Sequence, residues 1–487
     1  MWVPQATLSL FAFLASRSLA RLDGTKIAHD LQSILSPESA VFLLGNSSAL
    51  IDTTPRFNVW HSPTYTVSVK PAFPRDVQKV VSYSRDKKVP FLATGGGHGY
   101  TGTLSALRDG IEVDLSYFNT VEVDKDKNLL KIGGSVRFRD LMGPVYAAGK
   151  AVPVGACPCV GMAGATLGGG IGFWSSTYGA ISDSLSSLEV ITADGSLITV
   201  SSTSNADLFW AMKGAGANYG IVTSLTYNIH DAPNGGQVMS ADMMFPVSAN
   251  GSLWEFVKSW VGKQPAELSL TISLLFDPIA GQFIIVTNII YTGPLTTGHS
   301  IIQPLLNLQP LNTNISYIPW SEAPFAATYG GPANNCGKPT IMVPHAVNLY
   351  QVDTKALCDA VDYLNQTVPK DPALQSFVFA FTQYSQAGFK ATEKKKSAFP
   401  WRDVVMYAQM DGIAMKADDV PAIDAFGKGF RDLLQKSNRK SKLEVYTHFA
   451  HGDEGAAAWY GEENVSRLRK LKKQYDPQGL FSFYNPV

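Results

Sequence analysis

Apolar and polar positions follow two rhythms along this chain, and the rhythm changes once. Over roughly the first 230 residues the apolar runs are short and closely punctuated. Residues 26–35 and 74–87 read as helices, the second with Val77, Val80, Val81 and Ser84 on one face. Residues 89–93 read as a buried strand and 111–115 as an alternating one. Residues 121–123 and 129–132 flank the polar run 124–128 and predict a hairpin. A helix over 138–148 stops at Gly149. A second hairpin is predicted for 188–192 and 197–200, on the Asp194-Gly195 turn. A short helix over 206–213, capped by Asn205, and a strand over 221–229 complete this part.

Pro233-Asn234-Gly235-Gly236 marks a boundary, and beyond it the strands lengthen, as in 268–276 and 283–291. Amphipathic helices lie between them. The clearest places Leu253, Phe256, Val257 and Trp260 at i, i+3, i+4 and i+7; others fall at 353–365 and 423–435. This alternation predicts an antiparallel sheet with helices on one face, so the expected class is α+β. A final helix over 462–473 stops at Asp476-Pro477, before the aromatic tail Phe481-Ser482-Phe483-Tyr484.

Composition narrows the function. The chain has 487 residues, 45% of them hydrophobic, enough for a large core in two or more lobes. Forty basic residues balance forty acidic ones. No basic excess points to nucleic acid, no Lys/Arg run points to a membrane surface, and nothing in the pattern specifies an oligomeric state. Residues 6–15 form an apolar core before Ser18-Leu19-Ala20, so 1–20 reads as a secretory signal peptide too short to span a bilayer. Five Asn-x-Ser/Thr acceptors follow, at Asn46, Asn250, Asn314, Asn365 and Asn464. Both features point to the secretory route and a glycoprotein. Of four cysteines, Cys157 and Cys159 are too close in sequence for a CxxC metal or redox motif. Cys336 and Cys358 read either as one bridge or as two free thiols.

The candidate chemistry sits in two glycine clusters. The first is Thr94-Gly95-Gly96-Gly97-His98-Gly99-Tyr100, directly after a strand. Bare backbone there lets N–H groups close around an anion beside an imidazole. The second runs from Gly155 through Cys157, Gly161 and Gly164 to Gly168-Gly169-Gly170-Ile171-Gly172. With Gly220-Ile221-Val222, Ala398-Phe399-Pro400-Trp401-Arg402 and Tyr475-Asp476-Pro477, these pieces resemble the berberine-bridge-enzyme-like flavin oxidoreductases, which carry the vanillyl-alcohol-oxidase (PCMH) type of FAD-binding domain. The resemblance is strongest over 60–232 and returns at the C-terminus. It implies an FAD-binding domain over 21–235, a substrate domain over 236–440 and a C-terminal segment, 441–487, returning to the first.

The resemblance further implies FAD bonded covalently to His98 and to Cys157. Thr94, Gly95, Gly96, Gly97, Gly99, Tyr100, Gly161, Gly164, Thr166, Gly168, Gly169, Gly172, Gly220, Ile221, Val222 and His448 are the other expected cofactor contacts. An imidazole nitrogen and a thiolate are both nucleophiles able to attack an electron-poor ring. The pattern departs from the family where Thr94 replaces an arginine, where Ala165 follows Gly164 in place of a histidine, and where His448 replaces an asparagine. Tyr446 is the expected catalytic base, provided its pKa is lowered. Other members use a glutamate on the sheet of the substrate domain; the nearby residues here are Gln383 and Tyr384. Trp401, Tyr350 and His345 either line the pocket or pack it. The resemblance implies an oxidase passing hydride from a small molecule to flavin, with dioxygen as acceptor. A specialised metabolite is favoured because apolar residues dominate the middle domain. Carbohydrate oxidation and a non-redox cyclase are the alternatives. No Gly-x-Gly-x-x-Gly run opens a helix, which argues against a nicotinamide partner.

Overall fold

The structure, a computed structural model, describes residues 23–44 and 55–487. The signal peptide expected at 1–20 and the acceptor Asn46 lie outside the described residues. The fold is α+β, as the pattern predicts, and rests on three principal sheets.

The first sheet orders Ala40–Leu43, Tyr65–Lys70, Gly110–Asp114 and Phe91–Thr94 side by side. Two of its three pairings are parallel, because the helix Pro74–Lys87 crosses over between Tyr65–Lys70 and Phe91–Thr94. Val77, Val80, Val81 and Ser84 on that helix are fully buried, the face the spacing predicts. The second sheet orders Val121–Asp124, Leu129–Gly133, Ile221–Asn228, Leu185–Ile191 and Leu197–Ser201, all antiparallel. Both predicted hairpins are present. Asn205 departs from expectation: its φ is 54° and its amide donates to the Thr199 carbonyl (2.9 Å). It closes the preceding turn instead of capping the helix.

The third sheet has seven antiparallel strands, with Leu268–Asp277, Phe377–Tyr384 and Met406–Ala414 adjacent near its centre. Side chains alternate between its faces. Leu270, Ile272, Leu274, Phe377, Phe379 and Phe381 form one face and pack in a single core with the helices Asn250–Ser259, Thr354–Thr367 and Val420–Lys436. Burying each large apolar side chain there contributes about 1.5–3 kcal/mol. The other face looks toward the glycine turns.

Two contacts join segments distant in sequence. Arg402 and Asp183, 1% and 3% exposed, make a bidentate pair at 2.8 Å per bond. The chain end returns to the first glycine turn, where the Thr101 hydroxyl donates to Asn485 Oδ1 (2.7 Å). Among the described residues, no helix is long and apolar enough to cross a membrane.

Candidate active site

The strand Phe91–Thr94 delivers the chain into the first glycine turn. The Thr94 hydroxyl donates to Glu112 Oε1 (2.9 Å), which anchors the strand end. Gly97 then takes a φ of 73°, a conformation glycine adopts without steric cost. A Cβ on Gly96 would lie 2.4 Å from the Gly161 nitrogen, so the two glycine clusters meet backbone to backbone. They border a cavity of about 710 Å³, within the range of small-molecule sites. Thr94, Gly95, Gly96, Gly97, Gly99 and Tyr100 all line it, as do Gly161, Gly164 and Gly168, and at a further wall Gly220, Ile221 and Val222.

Where the family arginine is replaced by Thr94, other guanidiniums hold the turn. Arg56 Nη2 donates to the Gly99 carbonyl (2.7 Å) and Arg137 Nη2 to that of Gly96 (3.4 Å). With these carbonyls engaged, the loop keeps its amides for an anion.

His98 and Cys157 line the same cavity. The His98 ring stacks on Phe57 (centroids 4.7 Å apart, 8° between planes). Burial lowers its pKa to about 4, helped by Arg137, Arg56 and Arg139. The imidazole is therefore neutral at physiological pH and keeps a nucleophilic lone pair. Burial raises the Cys157 thiol, although amides of the same turn and Arg139 act the other way. Cys157 is free, because the disulfide joins Cys159 to Cys336. The expected alternatives for Cys336 and Cys358 both fail: Cys336 is bridged to Cys159, and Cys358 is free. The bridge closes a span of 177 residues, which constrains the unfolded chain by about 5 kcal/mol in a chain-entropy account.

Several expected positions lie elsewhere. Thr166 faces the core, its hydroxyl shared between the Met162 carbonyl (2.8 Å) and Tyr227 Oη (2.7 Å). Gly169 packs under Phe399 and Gly172 against the Val154 carbonyl, so neither borders the cavity. His448 does line it, with both nitrogens engaged. Its Nε2–H donates to the Ala165 carbonyl (3.0 Å), leaving Nδ1 to accept from Tyr484 Oη (2.8 Å). Burial lowers it to about 4. Trp401, Tyr350 and His345 pack and do not border the cavity. His345 stacks on His451 (4.4 Å, 14°) with Asp424 Oδ1 at 3.2 Å and 3.5 Å from the two Nε2 atoms. The three residues place one possible ligand atom each within 4.8 Å of one another, in a cluster separate from the cavity lining.

Tyr446 lines the cavity, and its burial works against ionisation. It is 3% exposed, packed edge-on against Phe399, Tyr407 and Phe449, and burial holds its phenol well above the usual range. A group that strongly resists ionising is a poor base near neutrality.

The acid that sequence reading missed is Asp411, on the strand Met406–Ala414. It lines the cavity, and burial raises it to about 7. Gln409 Nε2 donates to Asp411 Oδ2 (2.7 Å) and to Tyr100 Oη (2.9 Å), which links the sheet to the glycine turn. Asp411 Oδ1 is buried without a partner. Ser269, Thr271, Ser273 and Thr382 also line the cavity; Ser269 Oγ donates to the Phe173 carbonyl (3.4 Å) and the Thr271 and Thr382 hydroxyls bond each other (3.2 Å).

A glycine nest, two nucleophilic side chains and a buried carboxyl around one cavity define the site of a flavin-dependent oxidoreductase. Residues 65–201 match the family described as "FAD binding domain", and residues 445–487 that described as "Berberine and berberine like". The chain is 36% identical over 456 residues to the FAD-linked oxidoreductase azaL of Aspergillus niger, covering 91% of this chain and 96% of that one. It is 34% identical to the FAD-linked oxidoreductase tazL of Aspergillus terreus, covering 99% and 98%. The fold superposes on a xylooligosaccharide oxidase from Myceliophthora thermophila with a TM-score of 0.81 at 24% identity, over 95% and 98% of the two chains. The chain belongs to the berberine-bridge-enzyme-like, FAD-linked oxidoreductases.

Proposed function

We propose that this protein is an oxidase that removes a hydride and a proton from an alcohol, amine or allylic C–H of a small oxygenated metabolite, with dioxygen as final acceptor and hydrogen peroxide as product. FAD bound in the cavity supplies the two-electron acceptor. His98 and Cys157 are its proposed points of attachment, and the glycine turn from Gly95 to Gly99 its anion cradle. The single observation that carries the reading is Asp411. A buried carboxyl raised to about 7 is half ionised near neutrality and has one oxygen without a partner. It accepts the substrate proton, while Gln409 holds its other oxygen. Tyr446 keeps its proton and shapes the pocket.

A non-redox cyclase is the reading an acid-free cavity would favour, and Asp411 lines this one. Carbohydrate oxidation remains the second reading, favoured by the hydroxyls of Ser269, Thr271, Ser273 and Thr382 at the cavity. The disulfide and the exposed acceptor Asn314 support passage through the secretory route.

Anaerobic mixing with a panel of sugars and of polyketide or alkaloid alcohols tests the oxidase reading. The yellow absorbance bleaches with the true substrate class, and air restores it with release of peroxide. Persistent colour during full turnover would refute the redox role. His98→Ala is expected to leave no more than half of the flavin bound through acid precipitation, read from absorbance of the pellet. Tyr446→Phe is expected to slow flavin reduction by less than about tenfold, because a protonated phenol contributes packing and one hydrogen bond. A loss of a thousandfold or more in stopped-flow reduction would restore Tyr446 as the base.

A further inference from the structure

Three of the four cysteines lie on two neighbouring segments, and one of them, Cys157, lines the cavity. Cys159 is bonded to Cys336, and Cys157 stands two residues away with its thiol toward the Pro332 carbonyl (3.7 Å). Pro332 belongs to the short helix Gly331–Asn334, and Cys336 follows directly, its amide closing a turn onto the Ala333 carbonyl. The segment that carries Cys336 therefore lies over Cys157. Arg139 Nη1 is 3.6 Å from Cys159 Sγ, so a cation stands beside the sulfur that would leave in an exchange. At its other end the segment is pinned where Asp242 accepts the amides of Thr328 (2.9 Å) and Tyr329 (2.7 Å), both at positive φ.

We propose that Cys157 and Cys159 compete for Cys336, and that the pairing decides whether the Cys157 sulfur is free for the cofactor. Cys157 loses its proton and its thiolate attacks Cys336 Sγ. The Cys157–Cys336 bond forms as the Cys159–Cys336 bond breaks, and Cys159 leaves as a thiolate that takes up a proton. One disulfide and one thiol are present before and after, so no oxidant is consumed. With Cys159 bridged, Cys157 faces the cavity. With Cys157 bridged, His98 is the sole attachment point. The consequence for the flavin rests on the attachment proposed above; the exchange itself rests on the Cys159–Cys336 bridge and on the contact of Cys157 with the segment that leads into Cys336.

The test is non-reducing peptide mapping by mass spectrometry on the purified holoprotein, quenched in acid and alkylated. Wild type is expected to show Cys159–Cys336 and flavin mass on the Cys157 peptide. In Cys159→Ser, the expected result is a Cys157–Cys336 bond with flavin confined to the His98 peptide. Cys336 alkylated as a free thiol beside a flavinylated Cys157 in that variant overturns the proposal. If wild type lacks flavin on Cys157 while Cys159→Ser still forms Cys157–Cys336, the attachment falls and the exchange stands. Should Cys159→Ser fail to accumulate, wild type produced over a range of glutathione redox ratios decides. The fraction of Cys157–Cys336 is expected to rise as Cys157-linked flavin falls, and its absence at every ratio overturns the proposal.

Discussion

Replacing Asp411 with asparagine is expected to slow flavin reduction by a factor of about 10²–10⁴ while the purified protein stays yellow. Asparagine keeps the shape and still meets Gln409, so the loss isolates proton acceptance. The pH dependence carries the same assignment. In wild type, kcat/KM is expected to rise through an apparent pKa near 7 as Asp411 ionises, and that limb is expected to vanish in the variant. Stability should move in the opposite direction. The folded value of about 7 lies above the unfolded value of about 3.9 for an aspartate. The stability contributed by the protonated carboxyl is full below pH 4 and is lost as pH rises through 7. A shift of about three units corresponds to about 4 kcal/mol, so Asp411→Asn is expected to be more stable than wild type at pH 8 and nearly equal at pH 4. Urea midpoints at the two pH values measure it. A variant that keeps full reduction rate and shows no stability gain at pH 8 would dismiss Asp411 as the base.

That carboxyl was legible in the sequence as a weak signal. Gln409 and Asp411 are two residues apart in an otherwise apolar run, which places two polar side chains on one face of a buried strand. Gln383 and Tyr384, the expected positions, lie on the neighbouring strand and carry no acid. The preference for an apolar metabolite rests on a related simplification. It counted the apolar residues of the whole substrate domain, whereas the sheet separates them. Phe377, Phe379 and Phe381 belong to the helix-covered core, while Thr382 and Tyr384 border the cavity. Composition cannot distinguish two faces, but a period of two can.

The glycine turns were readable because their message is local. A strand, three glycines and a histidine set the backbone path within eight residues. Arg56 and the Cys159–Cys336 bridge were not readable, because each is created by contact between distant segments. Arg56 reaches a carbonyl 43 positions away, and the candidate bridge, Cys336 with Cys358, has the wrong partner for Cys336. Tyr446 shows the same limit in chemistry. Its motif gave the residue, but only the surrounding aromatic rings reveal that its phenol resists ionisation.

Removing the guanidinium of Arg402, as Arg402→Met, is expected to cost about 3–5 kcal/mol. The pair it makes with Asp183 is almost fully buried, and Arg402 also donates to the Phe389 carbonyl (2.9 Å). Loss of one partner leaves a carboxylate in a low-dielectric setting with the Ala180 amide (3.0 Å) and the nearby Lys213 charge to offset it. The effect should reach the cavity. Arg402 closes the segment that begins at Ala398, and Phe399 of that segment packs on both Gly169 and Tyr446. Urea midpoints and flavin retention are therefore expected to fall together. Adding Asp183→Asn removes the stranded charge while its side-chain oxygen still accepts from Ala180, so the double variant is expected to recover more than half of the lost stability. Equal losses in the single and double variants would mean that the arginine acts through packing against Phe399, with the carboxylate a bystander.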